Sequence, residues 1–397
     1  MSTDVPDWAR LPVKLQHEFF DLANDEAKRT KTLLLVQKKK LEEIGHLLRF
    51  RKVPTDDSWR KWRIAVVDGS DSPAMSERVG GRFGAYAAGY QVYQNLNLVE
   101  EDYYSGYMAD DQVGSSDVSK DVLDLLTTEL ERIVALKCLK RTDVDLVIID
   151  GPFFGFRLNC NAAVKRKELE VPVTRLGSDL IENLTDMSTI LLNSAKAVGV
   201  VKRVRTAAID GCMIHKSGSR TAATGRNDKD ILASFMRSGD YLSLTELFGS
   251  FDAYNYLSRL AGRSRSKHWM DVGIESLYKL CVEDVKSSIK RILNRDVTPL
   301  LDNERYFLRC DYPAPPFAFE VKTGMNVDPI LAFFQACCNK ATGLPIILDL
   351  IDEAVTVPRG FVGEFVEEIE ATLARDAELD KYELETRFSS LNPQKQE

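Results

Sequence analysis

The stretch RIAVVDGS, residues 63–70, is a short β-branched run that ends on a carboxylate followed by glycine. A second run of the same kind, DLVIIDGP, occupies residues 145–152. Both have the length and apolar content of strands buried on both faces, as in a parallel sheet. A carboxylate at the C-terminal end of such a strand stands at the mouth of an open α/β sheet, where these sheets bind ligands. If the two strands are neighbours, Asp68 and Asp150 come close together, and they repel unless a proton or a cation lies between them. A hard divalent cation, Mg²⁺ or Mn²⁺, is the natural partner for carboxylate oxygens. Two such ions roughly 3.5–4 Å apart activate a water and stabilise the leaving oxygen in phosphodiester cleavage. The glycine after each aspartate lets the chain turn and a substrate approach closely. Asp-Gly is equally a common turn dipeptide, so these two strand ends leave both readings open.

The surrounding pattern narrows the choice. Helical periodicity over 12–50, carried by Leu15, Phe19, Leu22, Leu41, Ile44 and Leu48, predicts a helix or helical pair that caps the domain or meets a second subunit. Pro54 stops it. GGRFGAYAAGYQVYQ, residues 80–94, reads as a glycine-laced strand, and EEDYYSGYMADDQVGSSD, residues 100–117, as a polar loop whose tyrosines either stack on bases or pack. Helices are expected over 116–139 and 179–197, with the strand VGVVKRVRT after the second, carrying Lys202. DGCMIHKSGSRTAATGRNDK, residues 210–229, reads as a loop or insertion, followed by helical patterns at 229–261 and 271–294. RYFLRCDY and FAFEV are expected strands; DPILAFFQACCNKATG, closed by Gly343, and PIILDLIDEAVTV are expected helices. The division expected is an N-terminal helical segment at 1–58, a metal-bearing core at 59–209, a helical insertion at 210–300, the rest of the catalytic domain at 301–360, and a charged helix and tail at 361–397.

A strand with Asp, further strands, an acidic helix, a second strand with Asp, then helix and strand, is the order of a ribonuclease H-like core. In that core the helix before the second strand supplies a glutamate. TTELERIV, residues 127–134, offers Glu129 and Glu131. Their directions differ by about 200° at 3.6 residues per turn, so one of them faces the site, and Glu131 is the favoured choice.

Composition bounds the rest. The 397 residues are 44% hydrophobic and 28% charged, the balance of a globular α/β chain with a proper core. The net charge of −7 does not advertise nucleic-acid binding, yet Lys and Arg concentrate at 38–40, 49–52, 59–63 and 262–267, and an acidic protein can carry a local basic groove. No run of eighteen apolar residues predicts a membrane span, and MSTDVPDWAR does not read as a signal peptide. Seven cysteines without framework spacing suggest a reduced, cytoplasmic chain.

VVDGSDSP with GGRFGAYAAGYQVY, ELERIVAL, DLVIIDGP and GVVKRVR together resemble the NurA nucleases. Those are ribonuclease H-like, manganese-dependent DNA nucleases that work as dimers with the hexameric HerA translocase. The resemblance implies that Asp68, Glu131 and Asp150 ligate Mn²⁺ or Mg²⁺, and that Lys202 meets the phosphate or polarises the nucleophile. CDYPAPPFAFEV and GLPIILDLIDEAV resemble the family's late segments, with Asp352 where histidine is common. Asp352 then either binds metal as a carboxylate or marks an altered site. The implied function is metal-dependent DNA cleavage, in a cytoplasmic homodimer with a HerA-type ATPase, for end processing and repair or for anti-phage defence. No GxxxxGK[ST] motif occurs, so ATP-driven translocation falls to a partner. Two rivals stand beside it: a non-catalytic DNA-binding subunit of such a complex, and an actin-like or sugar-kinase-type ATPase. Against the ATPase, Asp68-Gly69-Ser70 is one residue short of the Asp-x-Gly-Ser/Thr loop.

Overall fold

The computed structural model describes residues 7–110, 119–160, 180–249, 251–293, 303–375 and 379–391. One mixed sheet contains β1 (Arg51–Lys52), β2 (Arg63–Asp71), β3 (Ser76–Arg78), β4 (Gly81–Gln94), β5 (Asn97–Asp110), β6 (Leu146–Asp150), β7 (Ala197–Val201), β8 (Asp240–Ser243), β9 (Asn303–Arg309) and β10 (Phe317–Lys322). The helices described are α1 (Val13–Ile44), α2 (Ser119–Leu139), α3 (Leu180–Leu192), α4 (Ala208–Ser217), α5 (Asp228–Phe235), α6 (Leu244–Phe248), α7 (Phe251–Ser264), α8 (Ile274–Leu293), α9 (Asp328–Ala336), α10 (Ile346–Val355), α11 (Phe361–Leu373) and α12 (Lys381–Phe388). None of them is long and apolar enough to cross a membrane.

The sheet runs β1-β8-β9-β10-β7-β6-β2-β4-β3, with β5 also on β4. At its centre β2, β6 and β7 are parallel, with Ile64 opposite Leu146 and Asp150 opposite Val200. The strands β4 and β5 continue antiparallel from β2. The succession β5-β4-β2-β6-β7 is the ribonuclease H-like arrangement expected from the order of elements.

Strand alternation decides which side chains meet. Ile64, Val66, Ile148, Val198 and Val200 fill one face, under Ile330, Leu331 and Phe334 of α9 and Leu348 and Ile351 of α10. Ala65, Val67, Val147 and Ile149 fill the other, against Val134, Ala135 and Cys138 of α2 and Leu191 and Leu192 of α3. Continuing each alternation by two residues places Asp68 and Asp150 on the α10 face, at the C-terminal ends of adjacent parallel strands.

Four expectations need correction. Residues 100–110 are not a loop but most of β5, a fourteen-residue strand. Asn95 and Leu96 both have positive φ, 48° and 66°, which closes a tight hairpin from β4 without the glycine that usually announces one. Only one face of β5 is covered, so its exposed Glu, Asp and Tyr side chains made the segment look loop-like. Residues 111–117 of that expected loop lie outside the described residues.

The 210–229 segment is built around α4 rather than being a loop. Its polar composition reflects buried organising carboxylates. Asp228 is fully buried and accepts from the Ala208 and Ile209 amides at 3.0 and 2.8 Å and from Thr206 Oγ1 at 2.8 Å, capping α4 from outside its own sequence. Asp210 is likewise buried and accepts from the Thr224 and Gly225 amides, both at 2.8 Å. The helical pattern at 229–261 is interrupted by β8, which pairs with β9 and β1. The helix expected to run to Gly343 stops at Ala336, and Gly343 serves a tight turn at φ 74° instead.

Removing the Asp228 carboxylate leaves buried amide donors without acceptors, a loss of about 1–3 kcal/mol for each. Asp228→Ala is therefore expected to lower the urea midpoint strongly, and Asp228→Asn, which keeps one acceptor oxygen, less so. Equal midpoints for the two variants and the parent contradict this capping role.

Candidate metal centre

Asp68 is 4% exposed at the end of the buried part of β2, and Asp150 is half-buried at the end of β6. Asp352 projects from α10, whose Ile347, Leu348, Ile351 and Val355 hold it against the sheet. The Val357 amide donates to Ser70 Oγ at 3.3 Å, tying the segment that follows α10 back to β2. One oxygen from each of Asp68, Asp150 and Asp352 lies within 4.8 Å of the other two. Asp68 Oδ1 accepts from the Gly69 amide at 2.7 Å, whereas Asp68 Oδ2 is buried with no hydrogen-bond partner.

Lys202, just past β7, places Nζ 2.7 Å from Asp150 Oδ2. Burial lowers the pKa of this ammonium, but Asp150, Asp68 and Asp352 outweigh that and hold it above the ordinary lysine value. Glu131 lies on the opposite, α2 side of the site and is not one of the three clustered carboxylates. Its Oε1 accepts from Arg132 Nη1 at 2.5 Å, and Arg132 Nη2 donates to the Pro152 carbonyl at 3.1 Å. This arginine, which the sequence reading passed over, thereby fixes both the acidic helix and the turn after Asp150. Glu129 faces α3, where it accepts from Asn183 Nδ2 at 3.4 Å. Of the two candidate glutamates, Glu131 is the one close enough to raise the pKa of Asp68.

Each glycine of the Asp-Gly pairs has a distinct steric reason. A Cβ on Gly69 would stand 3.2 Å from Thr127 Cγ2 and 3.4 Å from Glu131 Cβ, so the glycine lets α2 lie close over β2. Gly151 has φ 117°, a conformation that side-chain-bearing residues avoid, and the space beside it is open.

The electrostatics show strain in the metal-free cluster. Burial, then Asp150, Glu131 and Asp352, raise the Asp68 carboxyl well above the usual carboxylate range, with Lys202 opposing. Burial likewise raises Asp150 against the pull of Lys202. Glu131 is pushed up to about 7 by burial, with Arg132 opposing and Asp150 adding. Converging carboxylate oxygens with one unpartnered buried oxygen fit a hard divalent cation, which relieves the repulsion and takes oxygen ligands.

Residues 63–244 match the family model of the NurA domain. The match spans a little under half of the chain, which is similar there to the NurA domain. The matched stretch includes Asp68, Glu131, Asp150 and Lys202; Asp352 lies beyond it. The fold resembles that of the NurA nuclease from Sulfolobus solfataricus, with a TM-score of 0.55 and 12% identity over 93% of this chain and 100% of that one. At that identity the likeness shows a shared fold. A NurA structure with manganese is more distant, with a TM-score of 0.46 and 12% identity over 90% of this chain and 100% of that one. A NurA bound to dAMP and manganese gives 0.45 and 11% over 94% and 99%. No curated protein matches the chain in sequence.

The raised carboxyl pKa values fix the sign of a pH effect. Between the unfolded carboxylate range and the raised folded values, the folded protein binds more protons than the unfolded chain. Metal-free stability is therefore expected to fall as pH rises through about 7, the Glu131 value. Asp68→Asn removes part of the repulsion and is expected to melt higher than the parent in EDTA at about pH 8. Mn²⁺ at about 100 times its Kd adds about 2.7 kcal/mol to the parent, and little to Asp68→Asn. Thermal melts in EDTA and in Mn²⁺ read both effects; a full Mn²⁺ shift in the variant contradicts the site.

Proposed function

We propose that this protein is a metal-dependent deoxyribonuclease that hydrolyses phosphodiester bonds at the Asp68–Asp150–Asp352 cluster. The observation that carries the reading is the convergence of oxygens from three carboxylates, one of which, Asp68, has a buried oxygen with no hydrogen-bond partner, with a lysine beside Asp150. The likeness to the NurA domain and the fold shared with a NurA nuclease support it.

In this reading Asp68, Asp150 and Asp352 hold Mn²⁺ or Mg²⁺, and Glu131 completes the acidic set from the α2 side. A bound divalent ion supplies an activated water and screens the charge of the phosphate. Lys202, beside Asp150, neutralises charge that develops on the phosphoryl oxygens in the transition state. Gly151 leaves open space for the nucleic-acid backbone at the end of β6. Arg132 keeps the turn after Asp150 in place through the Pro152 carbonyl.

The reading extends to partners. Of the 32 residues of α1 only Gln37, Leu41 and Ile44 are buried, while Leu15, Phe19 and Leu22 lie exposed along one stripe. That stripe supports a homodimer, and the likeness to the NurA domain is the ground for a HerA-type hexameric ATPase as the source of translocation. Such a complex serves DNA end processing or defence against foreign DNA in the cytoplasm.

The test is cleavage of linear duplex and single-stranded DNA in EDTA, Mg²⁺ or Mn²⁺, with and without the ATPase. Metal-dependent cleavage is expected, with kcat reduced about 10²-fold or more in Asp68→Asn and Asp150→Asn, and a comparable loss in Lys202→Ala. DNA binding without cleavage under every condition sinks the nuclease reading and leaves a binding subunit.

A further inference from the structure

The mouth of β7 carries cations that the acidic cluster does not neutralise. The segment after Val201 reads Lys202, Arg203, Val204, Arg205, and Lys202 is committed to Asp150. Arg203 and Arg205 are exposed, and among the described residues neither has a carboxylate oxygen within 4.0 Å. Lys229, in the first turn of α5, donates from Nζ to the Lys202 carbonyl at 2.8 Å. That bond places the Lys229 ammonium beside the residue that pairs with Asp150. Lys229 is half-buried and also has no carboxylate within 4.0 Å among the described residues. Burial pushes its pKa below the ordinary lysine value.

Two other half-buried ammonium groups near this end of the sheet are matched: Lys120 with Asp71 at 2.6 Å, and Lys202 with Asp150 at 2.7 Å. The protein as a whole carries a net charge of −7, so carboxylates are not scarce. Partial desolvation of an ammonium costs free energy unless an anion restores it. The carbonyl of Lys202 satisfies one of the three donors on Nζ and leaves two without a partner among the described residues.

We propose that Lys229, with Arg203 and Arg205, seats the phosphodiester backbone of the nucleic-acid strand beside the phosphate that is cut. Lys229 is a positioning residue: it sets where the strand lies relative to Asp150 and Lys202 without touching the reacting atoms. This rests on the reading of the chain as a nuclease, but binding is measured without cleavage, so the two fail separately. Phosphate contacts of this kind fix register and carry no base preference. Each one also releases counterions, which gives the contact a signature in salt.

The experiment is fluorescence anisotropy of a labelled single-stranded oligonucleotide in EDTA, over a series of NaCl concentrations. Lys229→Gln is expected to raise Kd about tenfold and to reduce the slope of log K against log salt by about 0.7. Lys229→Arg, which keeps the charge, is expected to restore both. Arg203→Gln with Arg205→Gln is expected to weaken binding by at least as much, and carries the test if Lys229→Gln fails to fold for want of its bond to the Lys202 carbonyl. Kd within about twofold of the parent in the folded variants, with an unchanged slope, overturns the proposal. So does a loss that Arg does not restore, or a parent protein that binds no oligonucleotide. Binding that behaves as expected in a protein that never cleaves removes the nuclease reading and leaves this cationic lip standing.

Discussion

The structure depends on one electrostatic constraint: Asp68 and Asp150 are carried to the same end and the same face of two hydrogen-bonded parallel strands. Burial there is incompatible with two free negative charges, and the raised carboxyl pKa of Asp68 reflects that conflict. Packing makes the conflict unavoidable. The residues before each aspartate fill two hydrophobic cores, so slipping either strand by one position would exchange its core-facing sides. The folding energy of the apolar sheet thus holds the carboxylates together at a cost in stability.

The rest of the site can be understood as a response to that charge. Lys202 meets Asp150 from the neighbouring strand, and Arg132 meets Glu131 from the helix above. Neither reaches Asp68 Oδ2, which stays without a hydrogen-bond partner. Asp352 adds a third carboxylate from a helix docked on the opposite side from α2, so the cluster is clamped between elements that are far apart in sequence. A chain that only needed stability would gain by replacing one of these acids with an amide. Their joint presence, held by two cores and a backbone tie from Val357 to Ser70, is what points to a cation.

Much of this was legible in the sequence because the decisive residues lie on strongly patterned strands. Buried parallel strands read as continuous apolar runs, and the Asp-Gly ends of β2 and β6 are local features. Helical phase separates Glu129 from Glu131 but does not say which of them meets the site; the structure brings Glu131 near Asp68 and turns Glu129 to α3. Where the reading failed, the cause was tertiary. The exposed face of β5 carries Glu, Asp and Tyr because only its other face meets the core, and its hairpin uses Asn95-Leu96 rather than Asn-Gly. The segment around α4 looked like a loop because its acids, Asp210 and Asp228, are internal caps whose partners lie 14 to 20 residues away. The pairing of Arg132 with Glu131 and the approach of Lys229 to Lys202 leave no signal in composition or spacing; only the assembled sheet brings them to one place.

The most direct measurement of the central claim is anomalous diffraction at the manganese absorption edge from crystals of the protein grown with Mn²⁺. The account predicts an anomalous peak bounded by carboxylate oxygens of Asp68, Asp150 and Asp352, with Lys202 displaced outward or retained at Asp150 but not ligating. A well-ordered cluster with no peak, or manganese bound only elsewhere on the chain, would contradict it.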